Sequence, residues 1–288
     1  MAPTYHPTSL PTTFELTGFL YTFFVPKAND IPFEYHKPLT RSFDASTFRV
    51  SSVVLSITPT TGFYTSLQHG TKVGFLHRPF GLDRRSVPRL ATILSSHKGF
   101  DEALTVGANT ALAGRLGLDS SRSAIIQGYK GDAERRIGLV APFTEPRVNS
   151  DRAKVLVLHE FQDQIEGSFG FDELESEPIK AIAIMNAFHP EEVDRAVETA
   201  IGLGLLAGSG DTTGLLYLTG AIREAGLDYA RSKGIKVICV GHRACEEWGI
   251  AYLGDRIRKR FPSLRVEEVY EEEEPRQQLK HAQATSSA

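Results

Sequence analysis

The second half of the chain repeats one pattern that few folds can satisfy. Ile179 to Met185 reads as a strand and Pro190 to Ile201 as a helix with acids in its first turn. Leu215 to Leu218 is a strand again, Ala221 to Ser232 a helix, and Lys236 to Val240 a β-rich apolar run that turns at Gly241 into a last long helix. Strands separated by helices of this length need crossover connections, and these favour parallel pairing inside layered α/β sheets. A strand that is apolar throughout is buried on both faces, so polar chemistry is expected where such strands stop, at their carboxyl ends.

The first half supplies more strands with less regular spacing. Residues 1–45 carry Pro3, Pro7, Pro11, Pro26, Pro32 and Pro38, which forbid a long helix, and are expected to form an irregular arm laid on the core through Phe19, Tyr21, Phe23 and Phe24. Arg49 to Ile57, Thr71 to Leu76 and Ala91 to Ser96 read as strands, with a short helix from Thr60 to His69. Thr105 to Leu116 has helical spacing closed by Gly117. Ala124 to Gln127, Ile137 to Ala141, Lys154 to Leu158 and Leu264 to Tyr270 are further strand patterns, and Gln162 to Pro178 an exposed connection. The expected organisation is an arm (1–45), one α/β lobe (46–130), a second (131–270) and a disordered acidic tail (271–288), a two-lobed α/β fold with mixed, mostly parallel sheets.

Composition excludes several partners. A formal charge of −3 leaves no basic field for nucleic acid. The apolar stretch Phe14 to Val25 contains Glu15 and is shorter than the ~20 residues a membrane span needs. No charged leader precedes it and the first forty residues hold no Arg, so neither a secretory signal nor a transit peptide is expected. Cys239 and Cys245 are the two cysteines, too few for a disulfide framework. Cytoplasm is the expected compartment.

Three strand ends carry histidines, two of them with a carboxylate four residues on: His77, His97 with Asp101, and His242 with Glu246. At that spacing a helix presents both groups on one face, one turn apart. Imidazole with carboxylate is the donor set of zinc, manganese or non-haem iron, and such an ion can lower the pKa of bound water. The plain alternative is that each histidine caps a strand or meets a backbone carbonyl, and spacing leaves both readings open. Other signals are weaker. Gly202-Leu-Gly204 follows a helix rather than a strand, so it is a turn and not a dinucleotide fingerprint. Cys245 reads as a packing residue, Trp248 and Tyr252 as the core face of the last helix, and His69, His159 and His189 lack companions at ligand spacing.

Taken together, these motifs resemble the Nif-three-like proteins, a family also known as GTP cyclohydrolase I type 2-like. Gly241-His242 followed by Glu246 matches its closing motif, and Thr219-Gly220 the strand end before it. His97 with Asp101, then Gly107-Ala-Asn109-Thr-Ala-Leu-Ala113, match its central helix region, and Gly117-Leu118 and Arg136-Ile-Gly138 fall in order between. The similarity spans roughly residues 49–270. It implies a Nif-three-like fold, often a ring-like homohexamer, with a metal cleft between lobes. Carried over by position, His77, Asp101, His242 and Glu246 would be metal ligands, and His97 a catalytic acid or base.

This sequence departs from the family pattern at informative places. The family's His-His-Pro is His77-Arg78-Pro79 here, and a guanidinium repels a cation. One ion is therefore expected rather than two, with Arg78 placed to bind a substrate phosphate. Ala221 and Ile57 stand where the family carries acids, and its Trp-Asp-Asn opening is absent. Two functions stay open: a cytoplasmic metal-dependent hydrolase acting on a nucleotide-like or other small heterocyclic ligand, or a non-catalytic regulatory factor on the same fold with a degenerate site. A homo-oligomer is expected in either case.

Overall fold

The computed structural model describes residues 9–24, 27, 29–38, 40–68, 70–145, 148–171 and 178–272. Its contacts divide the chain into two units, residues 1–97 with 250–288, and residues 98–249.

In the first unit, β2 (Ser52–Ser56), β3 (Lys72–Leu76) and β4 (Thr92–Ser95) run parallel, as their unbroken apolar character requires. β1 (Glu34–His36) is antiparallel on the β4 edge, and β11 (Arg265–Val269) lies parallel to β2 with Arg265 opposite Ser52 and Val269 opposite Ser56. The strand order is β1-β4-β3-β2-β11. Helix α2 (Thr61–Leu67) buries Phe63 and Leu67 in a core shared with Val54, Leu76 and Ile93. The sequence pattern assigns the last strand to the second lobe, whereas its hydrogen bonds place it in this sheet.

The arm expected to be irregular contains a helix, α1 (Thr13–Tyr21). Its prolines flank the element instead of interrupting it. Thr12 and Glu15 form a reciprocal capping box: the Thr12 hydroxyl accepts from the Glu15 N–H at 3.1 Å and Glu15 Oε2 accepts from the Thr12 N–H at 2.8 Å. Leu16 and Leu20 are buried, so cap and apolar face together outweigh the short length.

The second unit holds a six-stranded sheet. β8 (Ala181–Met185), β9 (Leu215–Thr219) and β10 (Lys236–Cys239) form its parallel centre. The hairpin β5 (Ala124–Tyr129) and β6 (Asp132–Pro142) joins β8 antiparallel, and β7 (Gly167–Phe169) closes the far edge against β10, also antiparallel. The crossover helices α6 (Pro190–Gly202) and α7 (Glu224–Ser232) bury Val193, Ala196, Val197, Leu227 and Ala230 in one core with Ala183, Tyr217 and Val237. The boundary expected at residues 130 and 131 falls in the β5–β6 turn.

Two local expectations are corrected. Residues 105–116 are not one helix: α3 (Lys98–Leu104) and α4 (Thr110–Arg115) are separated by a loop, and Asn109 caps the second. Lys154 to Leu158 is not a strand but lies in α5 (Ser150–Glu160). Asn149 accepts from the Arg152 N–H at 2.8 Å, and the buried residues Ala153 and Val157 are four apart while Val155 is 60% exposed. That burial has helical period, and a run of β-branched residues does not override a capped amphipathic helix. The exposed connection expected after it includes β7, and the tail expected to be disordered lies, from residue 273 onward, outside the described residues. His69 also lies outside them. Helix α8 (His242–Arg260) follows β10, and among the described residues no helix is long and apolar enough to cross a membrane.

Candidate functional site

Parallel pairing of β2, β3 and β4 brings Ile57, His77 and His97, the residues just beyond each strand, to one edge of the first unit. The backbone continues the ladder there: the His77 N–H donates to Ser56 O at 3.2 Å and the Arg78 N–H to Ile57 O at 2.7 Å. His77 is 1% exposed, and its Nδ1 lies 3.2 Å from the Ser96 carbonyl oxygen. A carbonyl can only accept, so this contact assigns the proton to Nδ1 and leaves the lone pair on Nε2. The His97 ring stacks on His77 with centroids 5.2 Å apart at 28°, and Phe80 meets His97 edge-on at 5.2 Å.

In the second unit, β10 delivers the chain to Gly241, whose φ of +92° is left-handed, and so to His242 at the start of α8. A side chain at Gly241 would also sit 3.1 Å from Glu166 Oε1. His242 Nε2 lies 3.2 Å from Glu246 Oε1, with the imidazole 64% exposed and the carboxylate buried. The i,i+4 spacing therefore does bring this pair together. Behind it, Cys239 Sγ donates to Glu166 Oε2 at 3.4 Å. Burial, with a smaller contribution from the Glu166 carboxylate, pushes the Cys239 thiol up to about 12, and burial pushes Cys245 well above its usual value. Burial thus favours the protonated thiol at both positions, which disfavours a nucleophilic role.

Asp101, also in the second unit, has a partner that spacing did not reveal. It occupies the first turn of α3, and Arg135 Nη2 donates to its Oδ2 at 2.9 Å. The next residue, Glu102, is 1% exposed, 3.7 Å from Arg135 Nε, and accepts from Arg136 Nε at 3.2 Å. Two acids on a helix thus meet two arginines on β6. The Gly107-x-Asn109 motif serves this arrangement mechanically. A Cβ at Gly107 would stand 2.5 Å from Asp101 O, and Asn109 ties the loop by donating to Thr105 O at 2.9 Å while accepting from the Leu112 N–H at 2.9 Å. Gly220 is likewise a packing residue, since a Cβ there would lie 2.9 Å from Cys245 Sγ.

His77 and His97 stack; His242 and Glu246 pair; Asp101 is held by a guanidinium. Among the described residues, no three His, Cys, Asp or Glu side chains gather as a metal ion would require. Sequence reasoning missed Glu102, Arg135 and Glu166. The available signal was the pairing of adjacent acids at 101 and 102 with adjacent arginines at 135 and 136.

A family model described as Duf34/NIF3 (NGG1p interacting factor 3) matches residues 87–275. A curated relative, the GTP cyclohydrolase 1 type 2 homolog of Pseudomonas aeruginosa, is 27% identical over 174 residues, 59% of this chain and 58% of that protein, so the match spans less than two thirds of the relative's length. Among solved structures, reduced HcgD from Methanocaldococcus jannaschii superposes with a TM-score of 0.58 at 13% identity, covering 90% of this chain and 97% of that one. Staphylococcus aureus protein SA1388 gives 0.57 at 16% identity, covering 92% and 98%. A Bacillus cereus protein related to NIF3 gives 0.55 at 11% identity, covering 93% and 99%. At these identities the structural likeness fixes the fold alone.

Proposed function

Because the chain belongs to the Duf34/NIF3 (NGG1p interacting factor 3) family, we propose that it is a small-molecule-binding, regulatory member of that family whose metal site is degenerate and whose metal-dependent hydrolysis is lost. The observation that carries this reading is Arg135 Nη2 at 2.9 Å from Asp101 Oδ2. Guanidinium is permanently charged, so that oxygen is already neutralised, and a divalent ion brought to it would face a fixed positive charge at close range. Arg78, Ala221 and Ile57 point the same way, each removing a donor that the family resemblance expects. The reading includes a cytoplasmic homo-oligomer that takes a small ligand, with Arg78 available to a phosphate group.

A second reading, a metal-dependent hydrolase, draws on the Nε2 lone pair of His77, the His242–Glu246 pair and the name of the curated relative. In that reading His77, Asp101, His242 and Glu246 would hold zinc, iron or manganese, the ion would activate water, and His97 would move the proton.

Elemental analysis of untagged full-length protein, purified without chelator and compared with Asp101→Ala, separates the two, alongside a turnover assay on GTP. The proposal expects substoichiometric metal in both samples and no turnover. One divalent ion per chain, lost in Asp101→Ala, would overturn it.

A further inference from the structure

The outer face of α2 borders a groove of about 640 Å³ in the first unit that none of the motifs above uses. Thr61, Tyr64, Thr65 and Gln68 line one side at helical spacing, away from the buried Phe63 and Leu67, and Arg85 and Arg89 line the other. The segment that carries the arginines is pinned. Val87, midway between them, is 7% exposed and belongs to the core of Phe63 and Leu67, and the Asp83 N–H donates to the Tyr64 hydroxyl at 2.7 Å. Past Arg89, the Ala91 N–H donates to Pro88 O at 2.9 Å.

The polar groups of this groove are donors in want of acceptors. No Asp, Glu or His lines it. Among the described residues, neither the Arg85 nor the Arg89 guanidinium makes a hydrogen bond or ion pair. The Tyr64 hydroxyl accepts from Asp83, which leaves its own hydrogen to give, and burial holds that phenol above its usual pKa, so it stays protonated. The neighbouring Asp83 carboxylate is already taken up. Its Oδ1 accepts from the Arg85 N–H at 3.0 Å and its Oδ2 from the Ser86 hydroxyl at 2.8 Å, and both bonds outweigh its attraction for the Arg85 side chain.

Two guanidinium forks and a phenol lining one volume suit an anion with many oxygens. A carboxylate offers about four lone-pair sites, and one guanidinium can engage it by itself. A diphosphate has two anionic centres and oxygens enough for both forks. In a chain of net charge −3 the patch is too local to be the basic field that nucleic acid needs. We propose that this groove binds a small diphosphate-bearing molecule, Arg85 and Arg89 each engaging a phosphate and the Tyr64 hydroxyl donating to one of the oxygens. None of these residues is a candidate metal ligand, and Arg78 is not among them, so the inference stands or falls independently of the proposed function.

Isothermal titration of the full-length protein with sodium pyrophosphate tests it, after removal of metal on a chelating resin and at about 150 mM salt to screen diffuse attraction. Inorganic phosphate and acetate serve as comparisons. Pyrophosphate should bind saturably, about tenfold or more tightly than either. Arg89→Gln, which breaks no hydrogen bond or ion pair among the described residues, should cost about tenfold in that affinity. Arg84→Gln removes the same charge from the same segment, but Arg84 lies outside the groove lining with its Cζ 5.2 Å from the Tyr35 ring centroid, and it should change the affinity less than about twofold. Arg89→Lys keeps the charge without the fork and should fall between Arg89→Gln and the unaltered protein. Absence of saturable binding, affinity unchanged in Arg89→Gln, or an equal loss in Arg84→Gln and Arg89→Gln would overturn the proposal.

Discussion

The histidines after the strands of the first unit and the acids at the start of α3 in the second are held by opposite means. In the first unit, His77 and His97 stack on each other, and His77 Nδ1 meets a backbone carbonyl. In the second, Asp101 and Glu102 are fixed by Arg135 and Arg136. Stacked rings need only shape. An ion network needs every member, and it uses up the charge that a metal would have needed. A donor expected from the family resemblance, Asp101, can thus persist in sequence while it is already committed to an ion pair in the fold.

Removing a charge from the second group should have the largest effect. Arg135→Ala removes the guanidinium from the partly buried Asp101 and leaves Glu102 with Arg136, and should cost roughly 1.5–3 kcal/mol, read as a lower denaturant midpoint at unchanged slope. A loss under about 1 kcal/mol would mean the network behaves like a surface pair, and the contrast between the units would break. Next, His77→Ala should cost about 2 kcal/mol by truncating a buried ring, and the Arg135→Ala cost should shrink between low and high salt.

The thiols sharpen the same contrast by pH. Cys239 is raised to about 12 in the folded protein, so the folded state favours the protonated form. Its contribution to stability is complete below the unfolded thiol value, about 8.5, and is lost as pH climbs toward 12. Stability of the native protein should therefore fall over that window, less steeply in Cys239→Ala, and a thiol-reactive dye at pH 8 should label the chain only after unfolding. The smallest effect belongs to His36, held below its ordinary value by burial and then by the Arg84 charge. Its folded pKa is depressed, so the unfolded chain takes the proton first and stability declines as pH drops below about 6.5. His36→Gln should flatten that slope slightly, and an unchanged acid limb would remove His36 from the account.

Much of the fold was legible because its signals are local. The strands β2 to β6 and β8 to β11, with α6, α7 and α8, follow apolar period and punctuation, and the His242–Glu246 contact follows from one turn of helix. Where local signals competed, reading failed. Lys154 to Leu158 looked like a strand because its valines mimic one, and the Asn149 cap decided otherwise. α1 was hidden by its prolines although Thr12 and Glu15 announced it. In the candidate site, His77 with His97 could be anticipated from parallel strand ends, but the partner of Asp101 could not, since Arg135 stands 34 residues away on another element.

The sequence by itself determined which segments become buried parallel strands and that histidines and acids follow them, because side-chain period and backbone preference act within a few residues. Only the tertiary structure decided that β11 returns to β2 and that Asp101 answers to a guanidinium. Charge pairing and burial depend on which distant residues the fold brings into contact, and no local pattern encodes that choice.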